Sequence, residues 1–299
     1  MKRFFTVIVT GVLLISCAST PKSTVVAADT DPLAQVMPVD PQVKVGKLDN
    51  GFRYVIRKNM KPENRAELRL VVDVGSVLED NDQQGLAHFA EHMAFNGTKN
   101  FEKQELVDYL EGIGMRFGPD LNAYTSFDET VYMLQVPMDS TKVIENAFQI
   151  LEDWAHQVSF DPEEIDKERG VVVEEWRLGQ GASRRMFDEQ LPILLKDSRY
   201  AERLPIGQKA VLDSFHHKSL LQFYKNWYRP DLMSFVAVGD FEPAMMESLV
   251  KVYFSRIPIL TDARPRKVFP IPGHEETLFA IASDKEASGN TVSIYTKQD

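Results

Sequence analysis

Cysteine is nearly absent from this sequence, which contains a single one, Cys17, among 299 residues. One cysteine cannot form an internal disulfide, and a thiolate metal site normally needs several cysteines. A disulfide framework and a thiolate metal site are therefore both excluded.

Basic residues are scarce relative to acidic ones, since 34 Lys and Arg stand against 44 Asp and Glu, for a formal net charge of -10. No stripe of Lys and Arg repeats along the sequence as phosphate binding requires, so nucleic acid is excluded as a partner. An acidic surface favours basic substrates only weakly. The composition is otherwise that of an ordinary globular protein, 43% hydrophobic and 26% charged, which excludes a disordered or fibrous chain.

The apolar run at the N-terminus covers residues 4–15 and is too short to span a bilayer comfortably. It follows Lys2 and Arg3, which is typical of an export signal. Residues 14–17 read Leu-Ile-Ser-Cys and resemble the lipobox of bacterial lipoproteins, although Cys17 could also follow a cleavable signal by accident. We expect residues 1–16 to be a lipoprotein signal peptide and Cys17 to carry the lipid. The protein would then be exported and anchored to a bacterial membrane, namely the outer membrane facing the periplasm.

Apolar residues recur with strand or helix periods through most of the remaining sequence. Residues 17–41 lack such a period and are rich in Ser, Thr, Ala, Asp and Pro, which predicts a flexible tether. A β-hairpin is predicted over residues 43–57, with strands at 67–74, 121–126, 130–137 and 233–238. Helices are predicted from about residue 84 and at 103–113, 143–158, 161–178, 214–226 and 243–254.

Proline marks the next part of the chain, at positions 258, 265, 270 and 272, and predicts an interdomain linker over residues 259–273. Beyond it, residues 278–282 and 291–296 are predicted to be strands. A strand pair with nothing to cover it is not a stable unit. We therefore expect residues 274–299 to be the beginning of a second, truncated domain.

The pattern H-x-x-E-H, formed by His88, Glu91 and His92, lies on the first predicted helix. One helical turn separates the two imidazoles, so both can reach a single metal ion, with Glu91 beside them. This is the inverzincin signature, the reverse of H-E-x-x-H. With 6 His in the sequence, a chance occurrence on a solvated helix face is expected on the order of once in a hundred such chains.

A catalytic zinc site also needs a third protein ligand and an open position for water. The helix that begins after Asp161 offers several carboxylates, and two of them, Glu168 and Glu175, are seven residues apart and share one face. Surface carboxylates on an acidic helix would have the same spacing. Spacing alone therefore does not choose the ligand.

Four segments together resemble one known family. Residues 88–98, HFAEHMAFNGT, are similar to the active-site helix of the family that contains insulin-degrading enzyme, pitrilysin and mitochondrial processing peptidase. The segments NAYTS (122–126), ERGVVVEE (168–175) and WYRPDLM (227–233) match in the same order. The resemblance covers residues 43–258 plus the start of the family's following domain, and the joint occurrence of these motifs is highly specific.

The resemblance implies an α+β fold, with a mixed, mainly antiparallel sheet and helices packed on one face. Residues 42–258 would form the N-terminal zinc metallopeptidase domain. Residues 274–299 would begin a second pitrilysin-like domain, so the sequence would be a fragment or one subunit of a two-chain enzyme. Full activity would then need the missing second half or a partner subunit.

The resemblance also implies the metal site. His88, His92 and Glu175 correspond to the ligands of one zinc ion per chain. The interval between the second His and the third ligand is longer than the family's, which leaves Glu174 as an alternative, although helical phase with Glu168 favours Glu175.

The same correspondence assigns the reacting and substrate-binding groups. Glu91 corresponds to the general base, and Glu168 to the second acidic residue of the site, where it would orient a ligand. Asn122 and Ala123 match the family's edge strand, where a substrate backbone can pair, although a simple turn is the alternative.

The implied function is a zinc-dependent endopeptidase that hydrolyses peptides or unfolded polypeptide segments with a metal-bound water activated by Glu91. Two alternatives remain, namely a non-catalytic partner subunit and a lipoprotein that binds peptides without cutting them. Non-catalytic relatives usually lose the His or Glu residues of the motif, and all of these residues are present here.

Overall fold

The computed structural model describes residues 38–116 and 118–297. The predicted signal peptide, Cys17 and most of the predicted tether lie outside these residues. One mixed sheet contains six strands, β1 (Val43–Lys47), β2 (Arg53–Lys58), β3 (Arg65–Val72), β4 (Leu121–Thr125), β5 (Thr130–Pro137) and β6 (Met233–Gly239). Within the described residues eight α-helices accompany it, α1 (Leu86–Ala94), α2 (Lys103–Gly112), α3 (Thr141–His156), α4 (Pro162–Leu178), α5 (Ala182–Leu194), α6 (Lys209–Ser214), α7 (His217–Trp227) and α8 (Pro243–Phe254).

The strands lie in the order β1-β2-β6-β3-β5-β4. Four of the five neighbouring pairs are antiparallel, and β2 with β6 is parallel. The mixed, mainly antiparallel sheet is therefore confirmed. Strand β4 is at one edge, and within the described residues no strand pairs with its outer side.

Strand β3 shows why the helices cover one face of the sheet. Its alternate residues Leu68, Leu70 and Val72 are fully buried, whereas the intervening Glu67 and Arg69 pair with each other on the opposite, partly exposed face. Burying alternate apolar side chains under a helical layer removes them from water, which is the main source of folding free energy.

Aromatic side chains fill the space between the sheet and helices α3 and α8. Phe52 of the hairpin turn stacks on Phe254 with ring centroids 4.4 Å apart, and Phe148 lies 5.1 Å from Phe235. Such pairs contribute about 0.5–1.5 kcal/mol each beyond the area they bury. Within the part of the chain described, no helix is both long and apolar enough to cross a membrane.

The helix that carries the H-x-x-E-H motif is held on the core by a stripe of apolar side chains. Leu86, Phe89, Ala90 and Met93 are all fully buried. At its C-terminal end, the indole Nε1 of Trp154 donates a hydrogen bond to the carbonyl oxygen of Ala94 (2.8 Å). Helix α3 therefore fixes one end of α1.

Several expected boundaries differ from the structure. Helix α1 begins at Leu86 because Gly85 adopts a left-handed conformation (φ 103°) that ends the preceding loop. Helices α5 and α6 were not predicted, since α5 is polar and contains Pro192 and α6 is six residues long.

The predicted strands at residues 278–282 and 291–296 are wrong, because this part of the chain forms neither helix nor strand. Their alternating apolar side chains are exposed, including Phe279 and Ile281. Alternation indicates a preference for strand, but a strand forms only where a neighbouring strand supplies hydrogen bonds.

Candidate metal centre

Two histidines on one face of α1 form the centre of the site. Their Nε2 atoms, of His88 and His92, lie 3.2 Å apart, and the rings meet edge to face with centroids 4.6 Å apart. This arrangement follows from their i, i+4 spacing, which places successive side chains on the same helix face.

Helix α4 adds a carboxylate to this pair. The Glu175 oxygens lie 3.7 Å from Nε2 of His88 and 3.4 Å from Nε2 of His92, and the three potential ligand atoms are within 4.8 Å of one another. The neighbouring Glu174 instead forms a bidentate ion pair with Arg177 at 2.6 and 2.7 Å.

These separations fit a zinc ion. Zinc is bound at about 2.0–2.2 Å in a tetrahedron, which places neighbouring ligand atoms about 3.3 Å apart. The two Nε2 atoms are 3.2 Å apart, and each lies within 3.7 Å of a Glu175 oxygen, Oε1 for His88 and Oε2 for His92, so the three side chains fit around one zinc ion. Two imidazoles and one carboxylate are also a donor set that zinc enzymes use, with the fourth position open.

Glu168 lies seven residues before Glu175 on the same face of α4, next to the Nδ1 side of the His92 ring. Its Oε1 is 2.8 Å from Nδ1 of His92, and its Oε2 accepts a hydrogen bond from Asn96 (2.8 Å). A carboxylate in this position selects the ring orientation that points Nε2 of His92 towards Glu175.

The protonation of the two imidazoles is set by opposing surroundings. Burial, together with the neighbouring His92, lowers the pKa of His88 to about 4. Burial acts to lower the pKa of His92 as well, but its contacts with Glu168 and Glu175 outweigh burial and raise the pKa to about 9. His88 therefore offers a neutral nitrogen, whereas His92 is held by two carboxylates.

Glu91 lines the same cavity and is buried, with 7% of its surface exposed. The hydroxyl of Thr125 donates a hydrogen bond to its Oε2 (2.8 Å). Burial raises the pKa of Glu91, with the Thr125 hydrogen bond opposing the shift. A carboxylate with a raised pKa accepts a proton from water more readily.

The cavity has a volume of about 450 Å³, and its far wall is formed by Ala123, Tyr124 and Thr125 of β4 and by Pro205 and Ile206. The structure brings Ala123 to the cavity, whereas Asn122 does not line it.

The hydrogen-bond register of β4 determines which backbone groups are unpaired. Gln135 donates to the carbonyl of Asp120 (2.8 Å), and Ser126 donates to the carbonyl of Glu129 (2.7 Å). Antiparallel pairs alternate between bonded and non-bonded positions, so the even-numbered residues of β4 bond to β5. The backbone of Ala123 therefore faces the outer edge of the sheet, where its N–H donates to Oδ1 of the Asn122 side chain (2.9 Å).

Comparison with protein families gives two matches along this chain. The insulinase family model, peptidase family M16, matches residues 54–192, which contain every potential ligand described above. The model of the peptidase M16 inactive domain matches residues 214–297. The chain belongs to peptidase family M16.

Relatives in family M16 include proteins named zinc proteases. A zinc protease PQQL-like protein from Arabidopsis thaliana is 42% identical over 84% of this chain and 26% of its own length. The probable zinc protease PqqL of Escherichia coli (strain K12) is 36% identical over 88% of this chain and 28% of its own length. The chain therefore spans about a quarter of the length of these M16 relatives. Their names imply that Zn²⁺ is the metal of the family.

Solved M16 structures have the same fold. The crystal structure of the first half of the periplasmic protease PqqL from Escherichia coli superposes with a TM-score of 0.76 at 37% identity, covering 80% of this chain and 51% of that chain. Pitrilysin superposes with a TM-score of 0.65 at 23% identity, covering 77% of this chain and 24% of that chain, which supports the fold alone.

Sequence reasoning missed five residues of this candidate site. Tyr124 and Thr125 are inside a matched segment but had no assigned role, and Asn96 is inside the active-site motif without one. Pro205 and Ile206 carry no sequence signal, because they approach the cavity only through the path of the chain between α5 and α6.

Proposed function

We propose that this chain carries the zinc centre of an M16 metalloendopeptidase that hydrolyses peptides or unfolded polypeptide segments. The observation that carries the proposal is the convergence of His88, His92 and Glu175 at zinc-ligand separations in a cavity that Glu91 also lines. A structural salt-bridge cluster would not need two imidazole nitrogens 3.2 Å apart.

His88, His92 and Glu175 would hold one zinc ion. Zinc, when bound, supplies Lewis acidity that polarises a peptide carbonyl and lowers the pKa of water. Glu168 orients His92 through Nδ1, and Asn96 in turn holds Glu168, so the ring cannot rotate away without breaking its hydrogen bond to a carboxylate that is itself fixed.

Glu91 acts as the general base in this proposal. Thr125 fixes its carboxylate through Oε2, and burial keeps its pKa above the usual value. The carboxylate therefore takes the proton from the attacking water and returns it to the nitrogen of the leaving amine.

The outer edge of β4 positions the substrate. An extended peptide can add to this edge through the backbone of Ala123, which is not used by the ladder to β5. Its scissile bond would then lie in the cavity that Glu91 and the proposed zinc ligands line. The Asn122 side chain, which accepts from the Ala123 N–H, would be displaced when the peptide binds.

We also propose export and lipidation at Cys17, since the lipobox-like segment accompanies a relative described as a periplasmic protease. A clickable fatty acid should label the natural protein in the cell, and a Cys17→Ser variant should remain unlabelled. Equal labelling of both proteins would contradict lipidation at this residue.

The function is tested by metal analysis of the purified protein, followed by a digest of unstructured peptides read by mass spectrometry. We expect about one zinc per chain and cleavage by the complete natural protein, with Glu91→Gln retaining zinc and losing hydrolysis. The amide keeps the size of the side chain but cannot accept the proton. Zinc without cleavage would favour the non-catalytic alternative, and a protein without zinc would contradict the proposal.

A further inference from the structure

The helix that carries the histidines begins without a cap from its own N-cap residue. Gly85 occupies that position and has no side chain to accept the unpaired amides of the first turn. A side chain at Gly85 would also be crowded, because an added Cβ would lie 2.9 Å from Leu212.

The side chain of Glu79 accepts hydrogen bonds from these amides instead. Glu79 is fully buried, and its Oε1 accepts hydrogen bonds from the backbone N–H of Ala87 (2.8 Å) and Gly85 (3.1 Å), while its Oε2 lies 3.0 Å from the Gly85 nitrogen. Burial raises the pKa of Glu79 to about 8. The carbonyl-type oxygen of a protonated carboxyl still accepts both amides, so the cap operates in either protonation state.

The backbone carbonyl of Glu79 accepts hydrogen bonds from two arginines. Arg203, itself fully buried, donates from Nε to the Glu79 carbonyl (3.2 Å), and Arg199 donates to the same oxygen. These arginines belong to the segment that continues into the cavity wall and then touches α1 at Gly207, where an added Cβ would lie 2.3 Å from Cα of Gly85. Glu79 thus connects the start of α1 to the chain that forms the cavity wall.

The two histidines differ in how their rings are supported. Nδ1 of His92 has Glu168 as its partner, whereas the buried Nδ1 of His88 has no hydrogen-bond partner in the described part of the protein. His88 lies in the first turn of α1, directly after Ala87. Its position therefore depends on the backbone of that turn.

We propose that Glu79 is a positioning residue of the metal centre, which caps α1 in place of Gly85 and thereby fixes the turn that carries His88. The proposal rests on the zinc site proposed above. Glu79 supports the helical turn that carries His88, whereas Glu168 supports the ring of His92 directly.

The test separates hydrogen bonding from packing. Glu79→Met keeps the approximate volume and removes both acceptor oxygens, whereas Glu79→Gln keeps one acceptor oxygen. The matched controls are Glu152→Met and Glu152→Gln, because Glu152 is also buried and hydrogen-bonded, to His156 and Gln149, but lies on α3 away from the cavity. Zinc affinity is measured by competition with a chromophoric chelator, and ligand geometry by the visible absorption of the cobalt(II)-substituted protein.

We expect Glu79→Met to weaken zinc binding about tenfold or more and to change the cobalt spectrum, as loss of supporting groups does at other metal sites. Glu79→Gln should recover most of the affinity, and both Glu152 variants should bind zinc within about twofold of the unchanged protein. Equal zinc affinity in Glu79→Met and the unchanged protein, or equal loss in Glu79→Met and Glu79→Gln, would overturn the positioning role alone. Absence of zinc binding by the unchanged protein would overturn the proposed function as well.

A second measurement needs no variant at all. Coupling between two sites is reciprocal, so zinc binding should slow hydrogen exchange at the amides of Gly85 and Ala87. The reference is the amide of Val143, which Ser140 caps at the start of α3. Unchanged protection at both α1 amides on zinc binding would contradict the proposal, even if Glu79→Met fails to fold.

Discussion

The proposed third zinc ligand is one of two adjacent glutamates whose side chains have different surroundings. Glu175 lies within 3.7 Å of both imidazole Nε2 atoms, whereas Glu174 is paired with Arg177. On a helix, adjacent residues point about 100° apart, so one of them can face α1 while the other faces solvent.

We predict that Glu175→Gln weakens zinc binding by about 100-fold or more, because loss of a direct ligand exceeds the cost of outer-shell changes. Glu174→Gln is the matched control and should leave zinc affinity unchanged. Zinc content and affinity of the two purified variants decide the assignment. The reverse pattern, with zinc lost only from Glu174→Gln, would show that the ligand is misassigned.

Glu79 should make stability depend on pH. Burial raises its pKa from 4.5 to about 8, so between these values the folded chain binds a proton that the unfolded chain releases. The free energy of unfolding should therefore fall as the pH rises, by up to about 1.4 kcal/mol per pH unit. The contribution is complete below the unfolded pKa and is lost above about pH 8.

Urea denaturation at several pH values measures this effect. Glu79→Gln cannot titrate, so we predict that the difference in unfolding free energy between the unchanged protein and this variant decreases steadily from about pH 5 to about pH 8. A difference that stays constant over this range would show that Glu79 does not titrate there.

At the scale of elements, the backbone groups of the edge strand β4 point alternately towards β5 and away from it. Its even-numbered residues bond to β5, whereas Ala123 faces outwards. Proline is tolerated on an edge strand where the missing N–H is not part of the ladder.

We therefore predict that Ala123→Pro in the complete natural protein leaves zinc content and folding unchanged but raises KM about tenfold, since the Ala123 N–H can no longer pair with substrate. Steady-state kinetics and thermal unfolding provide the two measurements. As a control, Asn122→Pro removes a ladder bond and should cost about 1 kcal/mol or more of stability. An unchanged KM in Ala123→Pro would exclude substrate pairing at this position.

At the scale of the whole molecule, all proposed zinc ligands and the proposed base belong to this chain, although it spans about a quarter of the length of its named M16 relatives. The residues after α8 expose apolar side chains, among them Val268, Phe279 and Val292. Exposed apolar side chains of this kind are suited to contact further protein surface.

We predict that the 299-residue chain binds zinc with the affinity of the complete natural protein but hydrolyses peptides at least about 100-fold more slowly. Positioning of substrate and exclusion of water would depend on surfaces outside this chain. Zinc affinity and specific activity of both proteins, compared side by side, test this expectation. High specific activity of the monomeric chain alone would show that no further surface is needed.

Much of the fold could be predicted from the sequence, because its apolar residues recur with clear periods. The hairpin, strand β3 and helix α1 were all correctly predicted from local pattern. The strands at residues 278–282 and 291–296 were not, because strand formation depends on a neighbouring strand that no local pattern supplies.

The candidate metal site likewise has one part that the sequence predicts and another that only the tertiary structure decides. The sequence by itself determined the paired imidazoles of His88 and His92, since i, i+4 spacing on a helix leaves no other arrangement. Only the tertiary structure decided that Glu175 rather than Glu174 faces them and that Glu79 caps the helix they share. These contacts join residues that are distant along the chain, so they depend on how elements pack and not on the local geometry that a sequence pattern records.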